Sequence, residues 1–303
     1  MARPLKKFVR AVGNSILAAG NGCFYPVKKM CGSDDVVNKV EMRFVGLQRS
    51  GNHAFINWIF NQTSGRKCLL NWVMSETNPF FSFHKKSTAR ELQKNFYSDF
   101  NIPMEKMGFF SKKDLLIYSY EDDFLEKVGS DNFETCHDRW IGRSGARFDI
   151  LIVRDPFNLT ASRLRRDDDK IENRYSCRIE SERNIYISLW KQYAKEYLGI
   201  TNCLKHNKIC VNYNKWFAEK PYREEVATRL GLEFTDKGME EVVHVGGGSS
   251  FDNTGYDSKA SEMKVLDRWR NYADDKDFKL LLGDCEILEL SKKIFGEIPG
   301  IRS

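Results

Sequence analysis

Several classes of protein are excluded by what this chain does not contain. Its longest apolar runs, such as Ile150–Val153, fall far short of the roughly 18 residues a membrane-spanning helix needs. Its eight cysteines (Cys23, Cys31, Cys68, Cys136, Cys177, Cys203, Cys210 and Cys285) include no CxxC pair, which leaves zinc and thioredoxin-type redox chemistry without support. Scattered through 303 residues, they read as reduced thiols and give the expectation of a cytoplasmic protein. There is no internal repeat and no low-complexity tract. There is also little excess of one charge: 48 basic against 42 acidic side chains leaves +6, with the signs interspersed. That balance suits an anionic ligand and argues against nucleic acid or a membrane as partner. The basic start, Met1 to Arg10, is followed by Ser15–Gly20, a stretch short for the apolar region of a signal peptide.

What is present is the composition of a soluble protein, 41% hydrophobic and 30% charged, in a chain long enough to bury a substantial core. Residues 1–40 read as an appendage with a short amphipathic helix (Phe8, Val9, Val12, Ile16), and residues 41–303 as a single α/β domain. Short apolar strands are expected at Arg43–Leu47, Leu115–Tyr120, Phe148–Val153 and Lys208–Tyr213. Helical segments alternate with them. One spans Ala54–Phe60, one opens at Pro156, one carries Tyr186, Leu189, Trp190, Tyr193 and Tyr197 on one face, and one ends at Gly231. Buried strands separated by helices predict a central parallel sheet flanked by helices. Ligands of such sheets bind beyond the carboxyl ends of the strands, so the residues just after each strand are the ones that bear on chemistry.

After the first strand comes Gly46-Leu47-Gln48-Arg49-Ser50-Gly51-Asn52-His53, then a helix. Strand, glycine turn and helix amino terminus form a phosphate cradle of free N–H groups, to which Arg49 adds a fixed charge and Ser50, Asn52 and His53 add hydrogen-bonding groups. Gly46 and Gly51 have the GxxxxG spacing of nucleotide hydrolases, but Asn52 and His53 stand where that motif needs Lys and then Ser or Thr. The hydroxyl that would hold magnesium is therefore missing, and no metal is expected. The plainer alternative is a tight turn with an exposed arginine. A second cluster follows the third strand: Arg154-Asp155-Pro156, with Ser162 six residues beyond the proline, about 9 Å along a helix. Guanidinium and hydroxyl can share one phosphate there. Alternatively, Arg154 pairs with Asp155 or caps a carbonyl.

The two clusters together resemble the PAPS-dependent sulfotransferase family, whose members carry [K/R]-[S/T]-G after the first strand and R-[N/D]-P-x(5)-S further on. Arg49-Ser50-Gly51 and Arg154-Asp155-Pro156 with Ser162 match in order and spacing. Ile209–Tyr213 followed by Leu230-Gly231-Leu232 looks like that family's strand–Tyr segment. Arg268-Trp269 after Gly246–Phe251 looks like its 3′-phosphate loop, although the usual Arg-Lys-Gly is absent.

The resemblance implies an α/β fold with a phosphate-binding loop. It also implies 3′-phosphoadenosine 5′-phosphosulfate (PAPS) as cosubstrate, adenosine 3′,5′-bisphosphate (PAP) as product, and metal-independent in-line sulfuryl transfer to a hydroxyl or amine of a small polar acceptor. Arg49, with Ser50, Gly51, Asn52 and His53, would face the 5′-phosphosulfate; Arg154 and Ser162 the 3′-phosphate; Tyr213 the adenine; Ser249 and Ser250 the closing loop. The general base is expected at Glu121, with His84 next, while His53 fits a cofactor contact better. His137, His206 and His244 carry no expected chemistry, and Arg163–Asp169 reads as a solvated mixed-charge helix end, the alternative being that it holds a polar acceptor at the site entrance. The rival readings are a nucleotide kinase or NTPase, and a non-catalytic polyanion-binding module.

Overall fold

The expected strands form a single parallel sheet. A computed structural model describes residues 14–23, 35–82, 100–170, 173–243, 248–298 and 300–301. The strands are β1 (Asn38–Gly46), β2 (Lys67–Leu70), β3 (Lys113–Glu121), β4 (Ser144–Val153) and β5 (Ile209–Asn212), in the spatial order β2-β3-β1-β4-β5. Lys67 pairs with Leu115 across β2 and β3, and Ile150 with Ile209 across β4 and β5. The burial of Phe44, Val45, Leu116, Ile117, Ile150, Leu151 and Ile152 accounts for the uninterrupted apolar runs, because a parallel sheet is covered on both faces. β2 is not expected from the sequence analysis; four residues beginning with lysine are too few to show a period.

Helices fill the connections: α1 (Asn52–Gln62), α2 (Pro79–Ser82), α3 (Ile102–Lys106), α4 (Leu125–Val128), α5 (Asp131–Ile141), α6 (Pro156–Asp168), α7 (Glu180–Tyr197), α8 (Tyr213–Ala218), α9 (Lys220–Arg229), α10 (Lys276–Leu282) and α11 (Cys285–Phe295). α6 starts where Pro156 predicts: Asp155 caps it by accepting from the Asn158 amide at 2.8 Å. Past α9, Gly231 takes a positive φ of 66° and ends the helix as expected. Of the expected amino-terminal helix, Phe8, Val9 and Val12 lie outside the described residues, while residues 14–23 are helical with Ile16 exposed.

Two compact units draw on these strands. The first comprises Met1–Arg43, Gly65–Ser119 and Lys127–Arg147. Its interior holds a charged group around Glu41. The carboxylate meets His137 Nε2 at 2.8 Å, accepts from Tyr118 Oη at 2.6 Å and from Ser144 Oγ, and lies 3.4 Å from Arg147 Nε. Burial pushes the Glu41 carboxyl up, but His137, Arg147 and Ser144 together bring it down to about 2. Burial pulls His137 down, yet the carboxylates of Asp138 and Glu41 leave it raised. The second unit comprises Phe44–Ser64, Tyr120–Glu126 and Phe148–Ser303. It contains the carboxyl ends of β1, β3, β4 and β5, and an aromatic core in which Phe55 and Trp58 meet Trp216 edge-on at 5.4 and 6.1 Å. The connection after β1 runs to β2 on one side of the sheet, and the connection after β4 runs to β5 on the other. The crevice at the carboxyl ends of β1 and β4 is therefore the switch point where such sheets bind ligands.

Candidate functional site

Two glycines shape the loop after β1. A Cβ on Gly46 would lie 2.2 Å from Asn52 Oδ1 and 2.7 Å from Ile152 Cγ2. Gly51 has φ 89°, and a Cβ there would sit 2.0 Å from Tyr213 Cε2. Only glycine lets the turn pass so close to β4 and to the tyrosine that follows β5. Arg49 also adopts a positive φ, 72°, an uncommon conformation for a residue with a Cβ. The Ser50 amide closes the turn on the Leu47 carbonyl at 3.1 Å, and no side chain caps the amino end of α1. The Ser50 hydroxyl is buried without a hydrogen-bond partner among the described residues.

Arginines from three segments converge here. Arg154, at the end of β4, donates through Nη1 to the Arg49 carbonyl at 3.0 Å and to Ser162 Oγ at 3.2 Å, and through Nη2 to the Val265 carbonyl at 2.6 Å. Its Nε is buried without a partner among the described residues, and its guanidinium stands 5.1 Å from the Tyr213 ring centroid. Arg154 does bond carbonyls, as the plainer alternative supposed, but it does so with Ser162 in hand. Asp155 is engaged elsewhere, by Asn158 and by Asn214 Nδ2 at 3.0 Å. Arg268 donates to Ser249 Oγ at 2.5 Å, to Asp252 at 3.0 Å and to the same Ser162 hydroxyl at 3.5 Å. Arg49 reaches Ser250 Oγ at 2.8 Å and the Gly248 carbonyl at 3.2 Å.

The electrostatics favour an anion here. Burial, then repulsion from Arg166, pushes Arg49 down to about 9; Arg268 and Arg154 add to the fall and Glu121 opposes it. Burial and Arg154 push Arg268 down to about 10. Guanidiniums crowded together and removed from water are costly unless an anion joins them.

Most of the sequence-predicted residues fall into this one crevice: Arg49, Ser50, Gly51, Asn52, His53, Arg154, Ser162, Tyr213, Ser249 and Ser250 all belong to the second unit. Glu121, at the end of β3, accepts from Asn52 Nδ2 at 3.0 Å and lies 4.0 Å from His53 Nε2. His84, Gly246 and Gly247 lie outside the described residues. A cavity of about 340 Å³ in the same unit is lined by Phe217, Ala218, Met239, Met263, Val265 and Leu266 together with Arg223, Ser261, Lys264 and Asp267; Arg49, Arg154 and Arg268 do not line it. Phe217 stacks on Tyr213 with centroids 6.1 Å apart, and Val265 is the residue whose carbonyl holds Arg154.

Arg163 corrects the expectation of a solvated helix end. Its guanidinium is fully buried and grips Asp122 with two parallel bonds at 3.0 and 2.9 Å. Asp122 in turn accepts from the Gln48 amide at 2.9 Å, and Arg163 also donates to the Gln48 carbonyl at 3.3 Å. Burial lowers the Arg163 pKa, but the Asp122 carboxylate more than offsets that and leaves it raised. The pair fixes the residue before Arg49 from both sides. The sequence carries no local signal for the pair, because the burial of Arg163 within Leu159–Leu164 and of Asp122 just past β3 shows only in the structure. The rest of the helix end is as expected, with Arg165, Asp168 and Asp169 exposed.

Comparison with known proteins gives a likeness of structure alone. The chain is similar to mouse sulfotransferase SULT7A1 complexed with PAP, at 13% identity and a TM-score of 0.45, over 88% of this chain and 93% of that one. It is also similar to the sulfotransferase domain from the curacin biosynthetic pathway, at 12% identity and a TM-score of 0.45, over 88% and 100%. No family profile and no curated protein matches the sequence. Among the described residues no helix is long and apolar enough to cross a membrane, and no group of His, Cys, Asp and Glu could hold a metal ion.

Proposed function

We propose that this chain is a sulfotransferase that uses PAPS as donor and a small polar alcohol or amine as acceptor. The observation that carries the reading is the pair of neighbouring anion sites in one crevice: the Arg49–Ser50 loop at the end of β1, and the Arg154–Ser162–Arg268 cluster at the end of β4. A nucleoside triphosphate presents one continuous phosphate chain and has no use for the second cluster. A nucleotide with phosphates on both the 3′ and 5′ positions uses both.

The residues present fit such a donor. Ser50 Oγ and Arg154 Nε are buried polar atoms lacking partners among the described residues, and a phosphate or sulfate oxygen would satisfy each. The 340 Å³ cavity, lined by Phe217, which stacks on Tyr213, and by both apolar and charged side chains, is large enough for a purine. When bound, PAPS supplies an activated sulfuryl group whose transfer leaves PAP. Arg49 and the free amides of the loop neutralise the charge that grows on the departing phosphate oxygen. Arg154, Ser162 and Arg268 hold the 3′-phosphate, with Ser249 orienting Arg268 and Ser250 orienting Arg49. Asn52 holds the Glu121 carboxylate at the end of β3, where it takes the acceptor's proton. His53 flanks the loop.

Isothermal titration of the purified protein in EDTA with adenosine 3′,5′-bisphosphate and with ATP tests this. The bisphosphate binds at micromolar concentration without magnesium, and Arg154→Ala weakens it at least tenfold. Binding of Mg–ATP in preference to the bisphosphate would point to a kinase or NTPase instead. Equal, steeply salt-dependent binding of any polyanion would point to a non-catalytic module.

A further inference from the structure

One cation of the crevice has no task in the reading above. Arg166 lies on α6 one turn beyond Ser162, hence on the same helix face, about 6 Å further along the axis. It is the residue whose charge depresses Arg49 most, more than Arg268 or Arg154. Its side chain leaves α6 on the face that carries Ser162, the hydroxyl held by Arg154 and Arg268, and its charge acts on Arg49.

Its circumstances differ from those of the other three. Arg49, Arg154 and Arg268 each hold oxygens of this chain. Arg166 makes no hydrogen bond or ion pair among the described residues. Asp169, the acid that acts on it, is engaged by Arg165 at 3.3 Å. Arg166 is half-buried and loses hydration, which lowers its pKa. A partly desolvated cation placed beside another cation, with the acid that acts on it already shared with Arg165, is unfavourable for the fold alone.

The phosphate and sulfate groups of the donor are already matched by the two clusters. Arg166 is also the more accessible group, whereas Arg154 and Arg268 are buried. Arg174, a further half-exposed arginine, reaches the Glu121 carbonyl at 2.9 Å, but Asp123 pairs with it at 2.9 Å, whereas Arg166 has no ion pair among the described residues.

We propose that Arg166 is an acceptor-binding residue, and that the acceptor carries an anionic group, a carboxylate or a phosphate or sulfate ester, close to the oxygen or nitrogen that is sulfated. This rests on the donor reading above and narrows its substrate class from polar to anionic. Arginine presents a planar pair of donors to any of these groups, which share one chemistry.

The test uses the full chain saturated with adenosine 3′,5′-bisphosphate and a matched pair of probes, p-nitrophenyl β-D-glucuronide and p-nitrophenyl β-D-glucoside. The probes differ in one carboxylate. The wild-type complex binds the glucuronide at least fivefold more tightly. Arg166→Gln removes that preference, Arg166→Lys retains part of it, and bisphosphate affinity stays within twofold in both variants. A wild-type complex that does not prefer the glucuronide overturns the proposal, as does a preference that survives Arg166→Gln. So does a loss of bisphosphate affinity in Arg166→Gln as large as that in Arg154→Ala, since Arg166 would then belong to the donor. Failure of the wild type to bind the bisphosphate is a separate result: it removes the donor reading itself, and this inference with it.

Discussion

Replacing Arg49 with glycine should make the protein more stable and, on the proposed function, less able to bind adenosine 3′,5′-bisphosphate. Three contributions set the sign. The residue sits at φ 72°, which for a side chain bearing a Cβ costs about 1 kcal/mol and for glycine nothing. Its guanidinium is pushed well below the usual arginine range, to about 9, a gap corresponding to about 5 kcal/mol for a fully desolvated group. Arg49 is partly exposed, so solvent screens much of that, and about 2 kcal/mol is a fair share. The sign follows from linkage: a basic group whose pKa is lower in the folded state opposes folding at every pH where it is charged. Against these stand two hydrogen bonds, to Ser250 Oγ and the Gly248 carbonyl, worth about 1 kcal/mol each.

The balance is a net gain of about 1 kcal/mol, a rise of on the order of 2 °C in the melting temperature of a chain this long. Bisphosphate affinity should fall at least tenfold, because a charge-assisted bond to the ligand contributes about 1.5–3 kcal/mol. Differential scanning calorimetry at low and high salt, paired with titration calorimetry, measures both effects. Salt should raise the wild-type midpoint more than the variant's, since screening relieves repulsion only where the cation remains. A variant that melts below the wild type, or that binds the bisphosphate unchanged, would refute the account of the crevice as a set of strained, mutually repelling cations.

Four further outcomes are expected. Gly51→Ala should cost about 3 kcal/mol, from its φ of 89° and the collision with Tyr213; adding Tyr213→Leu should recover the steric part alone, so strictly additive losses in a double-mutant cycle would contradict the contact. Asp122→Ala strands the buried Arg163 charge and should lower stability by about 3–5 kcal/mol in urea denaturation, with a loss under 1 kcal/mol counting against a buried pair. Glu41, held at about 2 against an ordinary 4.5, should contribute about 3 kcal/mol that is present above pH 4.5 and disappears as pH falls toward 2. His137, raised above 6.5, should contribute stability that is complete below 6.5 and is lost as pH rises through its raised value. Glu41→Gln should flatten the acid limb of the urea midpoint, and a limb parallel to wild type would show that the carboxylate is not what titrates.

Much of the fold and most of the candidate crevice could be read from the chain because their signals are local. Apolar runs ended by glycine or by Arg-Asp-Pro mark β1 and β4, and the anion-binding groups follow within a few residues. The unread parts depend on distant pairing. β2 is too short to carry a period. Asp122 and Arg163 lie 41 residues apart, and each alone looks like a solvated charge. Arg268 was visible only as a loose match beside Trp269, because its partners Ser162 and Ser249 come from segments 106 and 19 residues away. In each case the burial of a charge, which one sequence does not display, is what changes the meaning of the residue.

The same contrast explains how the crevice tolerates its own charge. Arg49, Arg154, Arg166 and Arg268 repel one another, and Glu121 and Asp252 are too few to neutralise them. Such a loop would relax unless something rigid held its backbone. Arg163 and Asp122 do so by bonding the Gln48 carbonyl and amide from opposite sides, and their own charges cancel, so they add no net field to the anion site. Fixed backbone and unspent positive charge are what a preorganised anion site requires: the groups are already oriented and desolvated, so little reorganisation remains when the anion arrives. A neutral pair at Asp122 and Arg163, such as Asn and Met, could preserve the fold, but it would surrender two anchors on the peptide preceding Arg49. The reach of the buried pair therefore extends to the loop's geometry as well as to the stability of the core.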